Sequence, residues 1–206
     1  MQHLPKILLL LYLILFSFLA IEPYDRATWM VENIPVLIAV GILVIWYRRF
    51  VFSNTAYILM WAFLCYHTIG GHWSFERVPF EYGNQLLSSL GLDFIFPDGR
   101  NNFDRVGHFF VGVFAYPIVE FLLRRYFVAN GLVAFLFAIF AIGFWAASYE
   151  IIEMYYAVIE GGTSGSLFLG SQGDIWDAQK DMLLDICGAI LFGFFAIITV
   201  QKDQKN

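Results

Sequence analysis

Six apolar blocks, each long enough or nearly long enough to cross a bilayer, limit what this chain can fold into. Of the 206 residues, 60% are hydrophobic and only 14% are charged. A soluble domain usually carries about 25% charged residues, and a helix needs about 20 apolar residues to span the hydrocarbon layer. The pattern predicts an all-α polytopic membrane protein with a single transmembrane domain. The predicted spans are residues 7–21, 29–47, 55–71, 104–123, 131–154 and 181–200.

The first block is short for a span, and it shares one feature with a signal peptide, because Lys6 precedes an apolar run that ends at Ala20. Phe18 argues against cleavage, since signal peptidase requires a small residue three places before the cut. We therefore expect a retained helix.

Basic residues predict the orientation of the six spans. Paired arginines occupy the short connections at Arg48-Arg49 and Arg124-Arg125, whereas the basic residues of the alternate connections are spread over longer loops. Cytoplasmic loops carry the denser Lys and Arg. Both termini are predicted to be cytoplasmic, and every acidic residue except Glu120 and Asp203 then lies at or near the outer face. Some of these acids, including Glu32, are assigned to loops.

Other acids lie within helix ends at spacings of three or four residues, which place side chains on one helix face. These sets are Asp104 with His108, Glu150 with Glu153, and Asp177 with Asp181 and Asp185. Ionisable groups below the membrane surface cost about 2.5–3.5 kcal/mol each on insertion scales, and they normally face the bundle interior. The sequence therefore predicts one shared polar cavity that opens to the outer face. His72 marks the outer end of the third span and joins this set.

Helix capping is an alternative role for three of the acids. Asp104, Asp177 and Asp181 lie near predicted helix starts, where a carboxylate satisfies free N–H groups and suits the helix dipole. Capping does not explain Glu150 and Glu153, because they lie near the predicted end of the fifth span, where the dipole disfavours negative charge.

Other polar residues have simpler interpretations. His67 is expected to be a hydrogen-bonded packing residue and not a ligand. Arg105 is expected to pair with one of the acids, whereas Arg77 and Arg100 are assigned to the membrane interface. Pro117 is expected to bend the fourth span.

Two connections are unusually long or rich in glycine. The segment from Trp73 to Phe103 suggests a functional loop or an interfacial helix near residues 81–90. Residues 160–174 are glycine-rich and form either a lid over the cavity or a linker. This stretch lacks the Gly-Lys-Ser/Thr of a phosphate loop, so nucleotide binding is not expected, and the chain shows no nucleic-acid signature.

Four stretches carry a resemblance to a known family. "GGHWSFERVP", "RNNFDRVGHFFVG", "SYEIIEM" and "LGSQGDIWDAQKDMLLDICGA" resemble motifs of a family of bacterial inner-membrane proteins that includes YjdF. The resemblance covers residues from about 67 to 190. It implies a multi-pass protein of the bacterial inner (plasma) membrane, and it implies no particular chemistry.

The pattern is also distantly similar to the VanZ-like superfamily, which is linked to glycopeptide-antibiotic resistance. The matching positions are Asp104, Arg105, His108, Glu150, Asp181, Asp185 and Gly188. Asp185 stands where that superfamily usually has asparagine, which makes the expected pocket more acidic.

Three classes of function are open from the sequence. In the first, a divalent metal ion bound by His72, His108, Glu150 and Asp181 assists hydrolysis or transfer on a lipid-linked or envelope substrate, with Asp104 or Glu153 as orienting group or general base. In the second, the acidic outer half binds or conducts a cation, a proton or a cationic small molecule. In the third, the acids and Arg105 form only a structural network.

Overall fold

The computed structural model describes residues 3–203, and for residues 163, 164, 167 and 201–203 only the backbone. Every regular element in this part of the chain is helical. The helices are α1 (Leu4–Leu19), α2 (Arg26–Trp46), α3 (Asn54–His72), α4 (Glu81–Ser89), α5 (Phe103–Val111), α6 (Ala115–Arg124), α7 (Gly131–Glu160), α8 (Gly162–Leu169) and α9 (Asp177–Asp203). A 3-10 turn, Gly112–Phe114, joins α5 to α6.

Side chains at three helix starts explain where those helices begin. Asp25 accepts a hydrogen bond from the Thr28 amide at 2.7 Å, and Asn130 accepts one from the Leu132 amide at 2.8 Å. Ser53 accepts one from the Ala56 amide at 3.2 Å. Each bond satisfies an N–H group that the helix itself leaves unpaired.

Four segments of the described chain are long and apolar enough to cross a membrane. They are Arg26–Trp46, Phe103–Arg124, Gly131–Glu160 and Asp177–Val200. Their outward surfaces are apolar: Ile45 on α2 and Phe144 on α7 are 72% and 77% exposed. The prediction of an all-α membrane protein is confirmed. Spans at α1 and α3 stay predictions, since α1 has only 16 residues and α3 is less apolar than these four segments.

The segment Phe103–Arg124 changes its winding in the middle. Pro117 has no N–H group, and its ring crowds the carbonyl of Val113 four residues earlier. The backbone tightens into the 3-10 turn at that point.

Two glycines bring this segment against α9. A Cβ atom built on Gly112 would lie 2.1 Å from the Gly188 carbonyl carbon, and one built on Gly188 would lie 2.0 Å from the Phe109 carbonyl oxygen. Backbones come this close only where both helices lack a side chain, as in other closely packed membrane helices. This crossing sets the distance between α5 and α9.

A buried carboxylate holds the opposite end of the bundle, where α3 begins and α6 ends. Glu120 accepts hydrogen bonds from the Ser53 amide at 2.7 Å and the Ser53 hydroxyl at 2.8 Å, and it also pairs with Arg124. We call the other end of the bundle, where α1, α3 and α7 end and α2, α5 and α9 begin, the polar end.

Candidate functional site

The polar end brings ionisable side chains from α2, α3, α5, α7 and α9 around one cavity of about 350 Å³. The Gly112–Gly188 crossing lies one turn below His108 and Asp185, so it places these two side chains opposite each other. His108 Nδ1 lies 3.1 Å from Asp185 Oδ2. An ionised carboxylate only accepts, so the imidazole donates to Asp185 from Nδ1.

The second ring nitrogen of His108 lies near another carboxylate, that of Asp104. His108 Nε2 lies 3.9 Å from Asp104 Oδ1, which is too far for a hydrogen bond. Asp181 completes the group: one ligand atom each from Asp104, His108 and Asp181 lie within 4.8 Å of one another. We call these three residues the candidate metal site.

Two buried carboxylate oxygens beside His108 have no hydrogen-bond donor within the described part of the chain. They are Oδ1 of Asp181 and Oδ1 of Asp185, on side chains that are 3% and 2% exposed. A buried acceptor without a donor costs about 1–3 kcal/mol, and more if it is charged. Such atoms call for a cation or a water molecule.

A separate cluster of opposite charges closes the polar end around the start of α9. Arg105 Nη2 donates to Asp174 at 2.5 Å and to Asp177 at 2.9 Å, and Arg100 Nη1 donates to Asp177 at 2.5 Å. Lys180 adds a bond to Asp174 at 2.5 Å. We call these five residues the aspartate–arginine cluster. It ties the α4–α5 connection to the loop before α9.

Asp174 lies outside the spans, and its pKa is held well below the ordinary carboxyl value, mainly by the hydrogen bond from Lys180 and then by that from Arg105. A lowered pKa in the folded protein means that the ion pairs stabilise the fold above the pKa of an unfolded aspartate. That stabilisation decreases as the pH falls from this value and is lost as the pH passes through the lower pKa of the folded protein.

Glu32 and Tyr149 form a second polar contact in the cavity that the sequence analysis missed. Tyr149 donates a hydrogen bond of 2.7 Å to Glu32 Oε2, which links α7 to α2. His67 Nε2 lies 3.9 Å from the same oxygen. The assignment of Glu32 to a loop was wrong, because it lies inside α2 and is 3% exposed. The predicted span 29–47 already contained this acid, which was the available signal.

We expect Tyr149→Phe to destabilise the protein by about 1–3 kcal/mol, because Glu32 would lose its hydroxyl donor while staying buried. Thermal unfolding of the purified protein in detergent measures the change. Tyr155→Phe is the matched control, since Tyr155 is 60% exposed on the same helix. Equal unfolding temperatures for both variants would contradict the contact.

Several predicted site residues lie elsewhere than expected. Glu150 and Glu153 are not at a helix end, because α7 continues to Glu160, so the argument from the helix dipole was wrong. Glu153 is buried and lines the cavity, whereas Glu150 lies outside the candidate metal site. His72 is also outside that group, since its Nδ1 lies 2.8 Å from the Leu19 carbonyl oxygen.

Other interpretations from the sequence change as well. The Arg100 side chain is 7% exposed and pairs with Asp177, a contact that the sequence did not predict; its place at the membrane interface stays a prediction. Asp177 forms ion pairs with two arginines, Arg100 and Arg105. Asp104 is not the N-cap of α5, because it lies in the first turn, one position beyond Phe103. His67 packs against the ring of Phe75 at 5.1 Å as expected of a packing residue, but its Nδ1 has no hydrogen-bond partner among the described residues.

The two long connections contain helices. The expected helix near residues 81–90 is present as α4, Glu81–Ser89. The glycine-rich stretch contains α8, whose Phe168 is buried, packs on Tyr156 at 4.2 Å and lines the cavity. This stretch therefore forms part of the cavity wall.

The fold and the apolar surfaces define a multi-pass helical membrane protein with a polar cavity at one end. Residues 4–202 match the family described as "Predicted membrane protein (DUF2238)", and the chain belongs to this family. It is also 34% identical over 179 residues to "Inner membrane protein YjdF" of Escherichia coli (strain K12), an alignment that covers 86% of this chain and 81% of that protein.

The resemblance to the family that includes YjdF is thereby confirmed. No solved structure matches the chain. The distant similarity to the VanZ-like superfamily stays a prediction.

Proposed function

We propose that the protein is an inner-membrane enzyme that binds a divalent metal ion at Asp104, His108 and Asp181 and acts on a lipid-linked or envelope substrate at the periplasmic face. The observation that carries the proposal is the convergence of these ligand atoms within 4.8 Å of one another. The name of the Escherichia coli relative supports the inner membrane as the location.

The donor set suits zinc or manganese. Imidazole and carboxylate groups bind zinc at about 2.0–2.2 Å, so small rotations of the three side chains would bring their ligand atoms around one ion. Asp185 would fix the tautomer of His108 through the Nδ1 hydrogen bond, which is a usual arrangement behind a metal-bound histidine. Asp181 Oδ1 accepts no hydrogen bond and lies 3.9 Å from Arg105 Nε, so a bound ion would give it a direct partner.

A bound divalent ion would polarise an oxygen atom of the substrate and would lower the pKa of a bound water molecule. The chain's own groups would place the substrate and move the proton. Glu153 is buried in the cavity wall, so it is our candidate for the general base, with Glu150 one turn away on the same helix. Hydrolysis or group transfer on a phosphoryl or acyl centre needs these parts.

Metal content of the purified protein tests the proposal. We expect about one equivalent of zinc or manganese in the wild type after exposure to the ion and gel filtration. His108→Ala and Asp181→Asn should each weaken binding at least tenfold, because each removes one of three protein ligands. Glu150→Gln should retain the ion, since Glu150 lies outside the ligand group.

Asp93→Asn is the matched control for lost charge, because Asp93 is exposed and belongs to neither the ligand group nor the cavity lining. Wild-type protein without stoichiometric metal, or unchanged binding in both ligand variants, would rule out the metal site.

A further inference from the structure

The cavity extends far beyond the ionisable groups, along the facing sides of α2 and α7. The walls of this extension are apolar and include Val36, Ala39 and Ile42 from α2 and Ala141, Ile142 and Trp145 from α7. The carboxyl and imidazole groups of the lining all lie toward the polar end. A small hydrophilic substrate would gain no hydrogen bonds from this apolar part, and burying its polar groups there would cost free energy.

The apolar part opens sideways, at the depth of the hydrocarbon layer. Ile38, Ile42 and Trp145 line the cavity and are also 57%, 52% and 46% exposed. Ile38 lies twelve residues after the first residue of α2, so it is roughly 18 Å along the helix axis at 1.5 Å per residue. The hydrocarbon layer is about 30 Å thick, so this opening faces lipid chains and not water.

The two helices that flank the opening, α2 and α7, make few contacts with each other. Helix α2 packs on α3, and α7 packs on α6, α8 and α9, while α2 and α7 are not extensively packed on each other within the described chain. The hydrogen bond from Tyr149 to Glu32 bridges them at the polar end of the cavity. Below this bond the space between them is available to a ligand.

We infer that one acyl chain of a membrane phospholipid enters between α2 and α7 and occupies the apolar part of the cavity, which places the headgroup at the carboxylate–histidine end. The occupant is a phospholipid because the opening lies within the bilayer, where its chains are already present at high concentration. The whole cavity, polar end included, has a volume of about 350 Å³, so it admits part of one chain and leaves the second in the bilayer.

This inference deepens the proposed function, because it names the substrate class of the candidate metal site. The headgroup phosphate would approach Asp104 and His108 from the cavity, and both residues line it. A bound divalent ion would offset the negative charge of the carboxylates toward that phosphate.

Photolabelling of the full-length protein in a bilayer tests the inference. The probe is a phosphatidylethanolamine with a diazirine in the middle of one acyl chain, and labelled residues are identified by mass spectrometry. Val36 and Ile142 line the cavity and are only 3% and 4% exposed, so surrounding lipids reach them only by entering it. We expect label on both residues. Label confined to outward residues such as Phe140 and Phe144 would overturn the inference.

A substitution that fills the apolar part of the cavity provides a second test of the inference. Ala39→Phe adds a ring to the apolar part, and it should reduce labelling of Val36 and Ile142 at least fivefold. Ile45→Phe makes a similar addition to the lipid-facing side of the same helix, where Ile45 is 72% exposed, and should change nothing. Equal labelling in the two variants would contradict the assigned position of the chain.

The measurement of metal content and the photolabelling experiment can fail independently of each other. If the protein is metal-free but the buried residues are labelled, the proposed enzyme fails and the phospholipid site stands. If the metal binds but the buried residues remain unlabelled in the wild type, the phospholipid inference alone fails.

Discussion

Gly188→Ala is expected to destabilise the helix bundle strongly. The new methyl group would lie 2.0 Å from the Phe109 carbonyl oxygen and 3.2 Å from the Gly112 Cα, and both are backbone atoms that cannot rotate away. Helices α5 and α9 would have to separate, which would pull His108 from Asp185. We expect a loss of about 3 kcal/mol or more, at the upper end of overpacking costs. Thermal unfolding and gel filtration in detergent measure it.

Gly143→Ala is the matched control for this substitution. Gly143 also faces α9, but a Cβ atom there would meet only the Ile186 side chain, at an ordinary contact distance of 3.6 Å. We expect normal yield and a normal unfolding temperature for the control. A Gly188→Ala protein as stable as the control would show that the two backbones do not cross as described.

Replacement of Arg105 is expected to destabilise the protein by at least as much. The Arg105 side chain is 1% exposed, and its guanidinium group contacts Asp174 at 2.5 Å and Asp177 at 2.9 Å, with Asp181 at 3.9 Å. Arg105→Gln removes the positive charge, so Asp174 and Asp177 each lose one ion-pair partner. Breaking a buried ion pair from one side costs about 3–5 kcal/mol. We expect a corresponding fall in the unfolding temperature of the purified protein.

A double substitution separates this charge effect from lost packing. Asp181→Asn in the Arg105→Gln background removes a buried carboxylate whose one ion-pair partner in the described structure was Arg105, so it should recover part of the lost stability. Arg77→Gln is the control for an arginine outside the cluster, because Arg77 is exposed and lies 3.9 Å from its one acidic partner in the described structure, Glu76. A double variant less stable than Arg105→Gln would contradict the pairing.

Local sequence patterns predicted the helices and the sets of residues that share a helix face. Apolar blocks located the long helices, but not the short helices α4 and α8, to within a few residues at most ends, and the spacing of Asp104 and His108 placed them on one side of α5. Such periodicities arise from backbone geometry alone, so they can be read without tertiary information. The end of α7 was missed by six residues, because Glu150 and Glu153 were taken as a polar boundary.

Contacts between helices could not be predicted in the same way. Asp104 joins His108 in the candidate metal site, whereas His72 and Glu150 do not. This outcome depends on the depth and rotation of α5, α7 and α9. Two glycines set that relation, and a glycine in the sequence does not reveal its partner. The pairing of Glu32 with Tyr149 has the same origin, since the two residues are far apart in the chain and meet only through the arrangement of α2 and α7.

Pulsed electron paramagnetic resonance of the protein loaded with manganese tests the central claim most directly. If α5 and α9 deliver their polar side chains to one ion, the spectrum should show coupling to an imidazole nitrogen. That coupling should vanish in His108→Ala and persist in His72→Ala, whose ring lies against the Leu19 carbonyl. Bound manganese without imidazole coupling, or coupling that survives in His108→Ala, would contradict the account.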